Sequence, residues 1–228
     1  GEETEKKKVK RGCKYYVPLS ANNDMKSMMQ GLKNCGHIKC MQRAVDDGYG
    51  GRMVEEEVLK EVWGFPSPNM VKRLEVLWKF AKKEGGETER RFRRTAFQQA
   101  RFLFSYQTNT DFFTFLCREK LYEKTGLEDA TVTSIKKDYV LRLMKTDMQN
   151  KAEMIKECIV HFKPTELTRS LAVLQCVERR DIESARAVEL TTWSNQAWPV
   201  GPMMDLVLKL IKYGGYQFLD LLEKAGFS

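Results

Sequence analysis

The 228-residue chain is long enough for one large domain or two small lobes, and a hydrophobic content of 42% allows it to bury a sizeable core. Aromatic residues make up 11% of the chain, which excludes disorder over most of its length. The formal net charge of +8 suits a nucleic acid, an anionic membrane surface or an acidic protein as partner, and charge alone selects none of them.

The chain begins with a polar, charged segment, residues 1–21, which we predict to be a flexible basic arm. It contains a basic run with the cations Lys6, Lys7, Lys8, Lys10 and Arg11. Such a run is typical of a nuclear localisation signal or a nucleic-acid-binding tail, and equally of a solvated terminus. The apolar residues Tyr15, Tyr16 and Val17 follow, and they could dock on the same domain or on a neighbouring subunit.

From residue 22 onwards, apolar residues recur at helical spacing, and no pair of alternating strands is joined by a hairpin turn. We therefore predict an all-α fold, a compact domain of about ten short helices with short connections. If the domain has two lobes, they comprise residues 22–127 and residues 128–228. No apolar run reaches the roughly 20 residues of a membrane-spanning helix.

Capping and breaking residues predict the limits of several helices. Asp24, or one of the two asparagines before it, can cap the first helix. The pair Gly85 and Gly86 separates two helices, of which Thr88 is predicted to cap the second. Gly126 is predicted to end a later helix at its C-terminal cap.

The charge excess is concentrated between Lys72 and Arg101, where ten basic and four acidic residues give a net charge of +6. Lysines end one predicted helix and arginines begin the next, so both groups can line one groove beside the glycine pair. Arginine suits phosphate because its planar guanidinium donates two parallel hydrogen bonds. The residues predicted to bind nucleic acid are Lys79, Lys82, Lys83, Arg90, Arg91, Arg93, Arg94, Arg101 and Tyr106.

Two further readings of this block stay open. The arginines can pair with acidic residues on a neighbouring helix, or they can simply solvate the surface, in both cases without any ligand. Most neighbouring aromatic residues, such as Trp78 and Phe92, are expected in the core, whereas the hydroxyl of Tyr106 favours a partly exposed site that could stack on a base.

Six cysteines are expected to be reduced, which indicates an intracellular, cytoplasmic protein; nuclear entry through the basic arm is the alternative. Cys35, His37 and Cys40 resemble half of a zinc site, and Cys158 with His161 is a second cysteine–histidine pair. Neither has the repeated CxxC or HxxxH spacing typical of zinc sites, so we predict buried thiols and neither a metal nor a cofactor.

The chain lacks the sequence signatures of common catalytic sites. It contains no GxxxxGK phosphate loop, GxSxG elbow or HExxH motif, and it has two histidines as general bases near neutral pH. We therefore predict a protein that is not an enzyme.

The chain ends predict self-association. Gly214 and Gly215 set off a last apolar helix, residues 216–225, and hinged apolar elements are what subunits exchange when they assemble. The N-terminal arm and this last helix are thus predicted to join copies of the chain into a homo-oligomer. The alternative is that both ends dock on their own domain.

In size, basic charge, helical character and N-terminal arm, the chain resembles the small all-helical nucleoproteins of segmented negative-strand RNA viruses. The resemblance involves no residue-level correspondence; it implies RNA encapsidation, as in a viral nucleocapsid within the virion. The first hypothesis is a sequence-independent single-stranded RNA-binding protein that contacts the phosphate backbone and self-associates. The alternatives are a HEAT-type helical-repeat scaffold with an acidic protein partner and a matrix-type protein on anionic membranes.

Overall fold

The computed structural model of the chain describes residues 13–20, 24–65, 69–100, 102, 110–188, 200–213 and 216–224. The regular elements in these ranges are helices, which confirms the predicted all-α fold. No helix in the described ranges has the length and apolar character needed to cross a membrane.

The chain forms two compact units, Gly1–Thr95 and Ala96–Ser228. The lobe boundary predicted after residue 127 lies inside the second unit. The physical reason is a shared aromatic core: the ring of Phe113 stacks on that of Tyr139, with centroids 5.2 Å apart, and both rings pack edge-on against Phe162. Residues on either side of the predicted boundary therefore belong to one core.

The first unit is built from short helices around an apolar centre. Its helices are α1 Met25–Asn34, α2 Ile38–Ala44, α3 Gly50–Met53, α4 Glu56–Glu61, α5 Asn69–Glu84 and the first ten residues of α6 Gly86–Ala100. Asp24 caps α1, as predicted, by accepting a hydrogen bond of 2.8 Å from the backbone N–H of Ser27. Helix α5 packs against α2 and α3, and it buries Leu74, Leu77 and Trp78.

The predicted break between two helices at the glycine pair is confirmed. Gly85 and Gly86 have φ values of +69° and +53°, which glycine adopts without the steric cost that other residues bear. Helix α6 begins at Gly86 and not after a Thr88 cap, because the N–H of Glu89 already donates to the carbonyl of Gly85, at 3.2 Å. The two helices form a hairpin with a very short connection.

Residues 13–20 of the predicted arm pack on the first unit. Tyr16 is 6% exposed, and its hydroxyl donates a hydrogen bond of 2.6 Å to the carboxylate of Asp47. The carbonyl of Tyr15 lies so close to Gly31 that a Cβ atom there would collide with it. The cations predicted for the arm, in residues 6–11, lie outside the described residues.

The second unit contains the remaining helices, which surround the aromatic core. They are α7 Thr110–Arg118, α8 Asp129–Met144, α9 Lys151–Phe162, α10 Glu166–Arg179, α11 Ile182–Ala187, α12 Val200–Tyr213 and α13 Leu219–Lys224. Helix α7 ends at Arg118, eight residues before the predicted cap Gly126, whose φ of +73° belongs to the turns that follow. Helix α12 packs against α10, with Leu206 buried and Lys209 paired with Glu178 at 2.7 Å.

Candidate functional site

The predicted nucleic-acid-binding residues of α5 and α6 lie at the end of the hairpin; we call this set the basic hairpin. Its members are Lys79, Lys82, Lys83, Arg90, Arg91, Arg93 and Arg94. The indole of Trp78 brings a cation of each helix to one place: Lys82 Nζ lies 5.7 Å, and Arg93 Cζ 4.7 Å, from the ring centroid. Cation–π contacts of this kind stabilise the hairpin as well as concentrating charge.

Carboxylates of α6 approach most of the arginines of the basic hairpin. Arg93 pairs with Glu89 at 2.8 Å and is 12% exposed, and Arg90 pairs with Glu87 at 3.0 Å. Arg94 lies 4.0 Å from the same Glu87. The sequence-based picture of a groove lined by unpaired guanidinium groups therefore applies to fewer residues than expected, because helical spacing brings two glutamates within reach of three arginines.

Three cations of the basic hairpin have no carboxylate partner among the described residues. Lys79, Lys83 and Arg91 form no ion pair with any of the described residues; the lysine side chains are exposed and that of Arg91 is half-buried. Each of the three lies within six residues of the glycine pair along the chain. They remain available to an external anion.

The aromatic residues near the basic hairpin are mostly in the core, as predicted. Trp78, Phe92 and Phe97 are 3% exposed or less and cannot stack on a base. Phe102 is 46% exposed. Arg101 and Tyr106, the other two predicted contacts, lie outside the described residues.

A second candidate site lies in the first unit, where four side chains form what we call the cysteine–histidine cluster: Cys13, Cys35, His37 and Cys40. Cys35 Sγ lies 3.3 Å from Cys13 Sγ, 3.2 Å from Cys40 Sγ and 3.7 Å from His37 Nδ1. All four ligand atoms lie within 4.8 Å of one another. The sulfurs are too far apart for a disulfide, in which they are separated by about 2.05 Å, and the cysteines are free thiols.

Local structure explains how the cluster is assembled. Cys35 and His37 lie in the loop between α1 and α2, and Cys40 lies in the first turn of α2. The backbone N–H of His37 points at Cys35 Sγ, at 3.4 Å. Cys13 reaches the loop from the docked N-terminal segment, 22 residues earlier in the chain.

Close packing of the thiols changes their pKa values in opposite directions. Hydrogen bonds from His37 first, then from the backbone of Tyr15 and from Cys35, lower the pKa of Cys13 to about 6. Burial first, and then the neighbouring sulfurs of Cys35 and Cys13, raise the pKa of Cys40 to about 12. The cluster therefore favours one thiolate over several, unless a cation offsets the repulsion between them.

A buried arginine lies against this cluster. Arg73 is 1% exposed, and its guanidinium donates hydrogen bonds to the carbonyls of Leu32 and Cys35. Its Cζ lies 4.8 Å from the ring centroid of Phe65, and it forms no ion pair with any described carboxylate. Burial lowers the pKa of Arg73, whereas the neighbouring Cys35 and Cys40 sulfurs act in the opposite direction.

The second cysteine–histidine pair has an ordinary packing role. Cys158 is fully buried, and burial raises its pKa well above the usual value. His161 Nδ1 lies 2.9 Å from the hydroxyl of Tyr122, and its Nε2 lies 3.4 Å from Glu157. Within the described ranges, the cysteine–histidine cluster is the single group of three or more closely spaced metal-ligating side chains.

Comparison of the chain with protein-family models, with curated proteins and with solved structures finds no match. Functional conclusions therefore depend on the two sites described above. Of their residues, sequence reasoning missed Cys13 and Arg73. The available signal for Cys13 was its position beside the apolar residues Tyr15, Tyr16 and Val17, for which docking was one expectation.

Proposed function

We propose that this protein binds single-stranded RNA without sequence preference and without catalysis, through phosphate contacts of the basic hairpin. The observation that carries the proposal is that Lys79, Lys83 and Arg91 of the basic hairpin form no ion pair with a described carboxylate. Lysine and arginine bind the phosphate backbone and release counterions, and such contacts carry no sequence information.

The surroundings of these cations favour RNA over a membrane surface. A helix that lies on a membrane needs exposed apolar side chains beside its cations. None of the large hydrophobic residues between positions 69 and 100 is exposed, because the apolar faces of α5 and α6 are used in packing. The basic hairpin therefore presents charge without an apolar anchor.

Replacing Lys79, Lys83 and Arg91 together by alanine is expected to weaken RNA binding about tenfold or more at moderate salt, equally for all sequences. For single strands each lost phosphate contact reduces the slope of log affinity against log salt by about 0.7, so the triple variant should lower it by about 2. Fluorescence anisotropy with labelled oligouridine and a mixed-sequence RNA, over a salt series, measures both quantities.

A matched control removes three exposed lysines elsewhere: Lys26→Ala, Lys145→Ala and Lys156→Ala. Its net charge changes by the same amount, and its affinity should stay within about threefold of the parent. Equal losses in both triple variants would show that overall charge, and not the basic hairpin, determines binding. A parent protein that sediments with anionic liposomes and does not bind RNA would favour the matrix-type alternative.

We further propose that the protein self-associates through α12, with a second copy of the chain as the partner. Met204, Val207, Leu208 and Ile211 are exposed on this helix, with Ile211 at 73%. Their spacing of three and four residues forms one apolar stripe. Of the two elements predicted for this role, residues 13–20 of the arm pack on their own unit. Phe218, in the 3-10 turn before α13, is buried, whereas Leu219 of α13 is exposed.

The charge pattern of α12 suits an antiparallel pairing of two copies. If the helices cross between Val207 and Leu208, Met204 of one copy faces Ile211 of the other. Asp205 then lies near Lys212 of the other copy, so that both ends of the stripe bring opposite charges together. A two-fold interface of this kind is the commonest way in which soluble chains form homo-oligomers.

Ile211→Glu is expected to convert the oligomer to a monomer, since it places two like charges in the apolar stripe of a two-fold interface. Size-exclusion chromatography with light scattering, after RNA has been removed at high salt, measures the mass. Val160→Glu, on another exposed apolar residue, is the matched control and should leave the mass unchanged. A parent protein that is monomeric without RNA would refute this interface. That result would not bear on the proposal that the basic hairpin binds RNA.

A further inference from the structure

The cysteine–histidine cluster has the geometry of a metal centre, and we propose that Cys13, Cys35, His37 and Cys40 bind one Zn²⁺ ion that fastens the docked N-terminal segment to the first unit. This site goes beyond the proposed RNA binding, because none of its residues belongs to the basic hairpin. Its donor set is three sulfurs and one imidazole nitrogen. The first point in its favour is the spacing of these four atoms.

In a tetrahedral zinc site, Zn–S and Zn–N bonds of about 2.3 and 2.1 Å place two sulfurs about 3.8 Å apart, and a sulfur and a nitrogen about 3.6 Å apart. The cluster has 3.2 and 3.3 Å between its sulfurs and 3.7 Å between Cys35 Sγ and His37 Nδ1. No two of the four ligand atoms are more than 4.8 Å apart. Moving neighbouring sulfurs about 0.5 Å further apart would bring the cluster to tetrahedral zinc geometry.

The donor set selects zinc among the common metals. Three cysteines and one histidine are a standard composition of structural zinc sites, whereas Mg²⁺ and Ca²⁺ take oxygen ligands. Four protein ligands leave no open position for water or substrate, so the site is structural and not catalytic. On binding, the thiols of Cys13, Cys35 and Cys40 release their protons to solvent, and the resulting thiolates coordinate the ion.

Arg73 supplies independent support through charge balance. A Zn²⁺ ion with three thiolates and a neutral imidazole carries one net negative charge. The buried guanidinium of Arg73 carries one positive charge, donates to the carbonyl of Cys35 and has no described carboxylate as a partner. Burying a charge without a counter-charge costs free energy. The negatively charged zinc–thiolate centre would provide the counter-charge to the guanidinium of Arg73.

The site explains why the N-terminal segment packs where it does. The contacts that hold the segment include the hydrogen bond from Tyr16 to Asp47, the guanidinium of Arg43 over the Tyr16 ring and the close approach of Tyr15 to Gly31. Zinc would add a cross-link between Cys13 and a loop 22 residues later. Because the unfolded chain lacks a preformed site, the free energy of zinc binding would add to the stability of the folded first unit.

Metal content of the full chain tests the proposal directly. Protein expressed in zinc-supplemented medium, or refolded with Zn²⁺ alone, should hold one zinc per chain by inductively coupled plasma mass spectrometry. Refolding with Co²⁺ should give the absorption bands of tetrahedral thiolate coordination. A zinc content near zero under both conditions would overturn the proposal.

Variants then assign the ligands. Cys13→Ser and Cys40→Ser should each lower zinc affinity at least tenfold in a competition titration with a chromogenic chelator. Cys117→Ser, which removes a buried thiol of the second unit, should keep one zinc per chain. Unchanged affinity in Cys13→Ser would contradict the role of the N-terminal segment.

A measurement on the unaltered protein covers the case in which the variants do not fold. Alkylation of the native protein followed by peptide mass spectrometry should leave Cys13, Cys35 and Cys40 unmodified until a chelator is added. The zinc site would be refuted if these three thiols stayed protected from alkylation after the chelator was added. It would also be refuted by a disulfide among them in protein purified under reducing conditions. RNA binding by the basic hairpin is measured separately and does not depend on either result.

Discussion

Replacing Arg73 by methionine is expected to lower the free energy of unfolding of the first unit by about 3 kcal/mol or more. The guanidinium is almost fully buried and donates to the carbonyls of Leu32 and Cys35. Methionine fills much of the same volume and leaves both carbonyls without a donor, and each such loss costs about 1–3 kcal/mol. Urea denaturation followed by tryptophan fluorescence measures the change.

Two variants give this prediction its controls. Arg52→Met removes an exposed arginine of the same unit and should change the free energy of unfolding by about 0.5 kcal/mol or less. Arg73→Lys keeps the charge but lacks the planar guanidinium that donates to two carbonyls at once. It should therefore recover only part of the free energy of unfolding that Arg73→Met loses. A methionine variant as stable as the parent would mean that these carbonyls have other partners.

Replacing Asp181 by alanine is expected to destabilise the second unit by about 3–5 kcal/mol. The ammonium group of Lys151 is buried, with its Nζ 2.7 Å from the Asp181 carboxylate and 2.8 Å from the carbonyl of Met144. Alanine would leave this charge buried without its counter-charge. It would also remove the N-cap of α11, where Asp181 accepts from the backbone N–H of Ser184 at 3.0 Å.

Asp24→Ala is the matched control, because Asp24 caps α1 in the same way and has no buried cation beside it. Its effect on stability should be clearly smaller than that of Asp181→Ala. Urea denaturation followed by circular dichroism measures both variants. Similar effects in the two would show that the cap, and not the buried ion pair, accounts for the loss.

The contribution of Asp181 should also depend on pH. Burial acts to raise the pKa of its carboxyl, but hydrogen bonds from Lys151 and Ser184 outweigh it and lower the pKa below the usual 3.8. The unfolded chain therefore binds a proton before the folded chain does, and the stabilisation present above the usual pKa is lost as the pH falls through the lowered value. The stability difference between parent and Asp181→Ala should shrink below about pH 4.

Much of the basic hairpin could be predicted because its signals are local. The glycine pair, the apolar spacing of α5 and the run of basic residues are adjacent in sequence, and the structure joins them as expected. The pairing of Arg90 and Arg93 with Glu87 and Glu89 could have been read from the same spacing. Which of several rotamers and partners each arginine adopts depends on packing, above all on Trp78 beneath Arg93.

The cysteine–histidine cluster could be predicted in part only. Cys35, His37 and Cys40 lie within six residues, and their proximity is visible in the sequence. Cys13 and Arg73 reach them from 22 residues before and 38 residues after Cys35. No periodicity or motif connects positions so far apart, and their contact follows from how the N-terminal segment docks beside α1 and how α5 packs against α2.

The helical class, the cap of α1 at Asp24, the break at the glycine pair and the place of the charge excess follow from the order of residues, since helical periodicity and capping act over a few positions. Tertiary packing decided the division into units, the docking of residues 13–20 on the first unit and the composition of the cysteine–histidine cluster. These depend on contacts between distant parts of the chain, in which burial of apolar surface and the satisfaction of buried polar groups choose among many arrangements that local propensities allow equally.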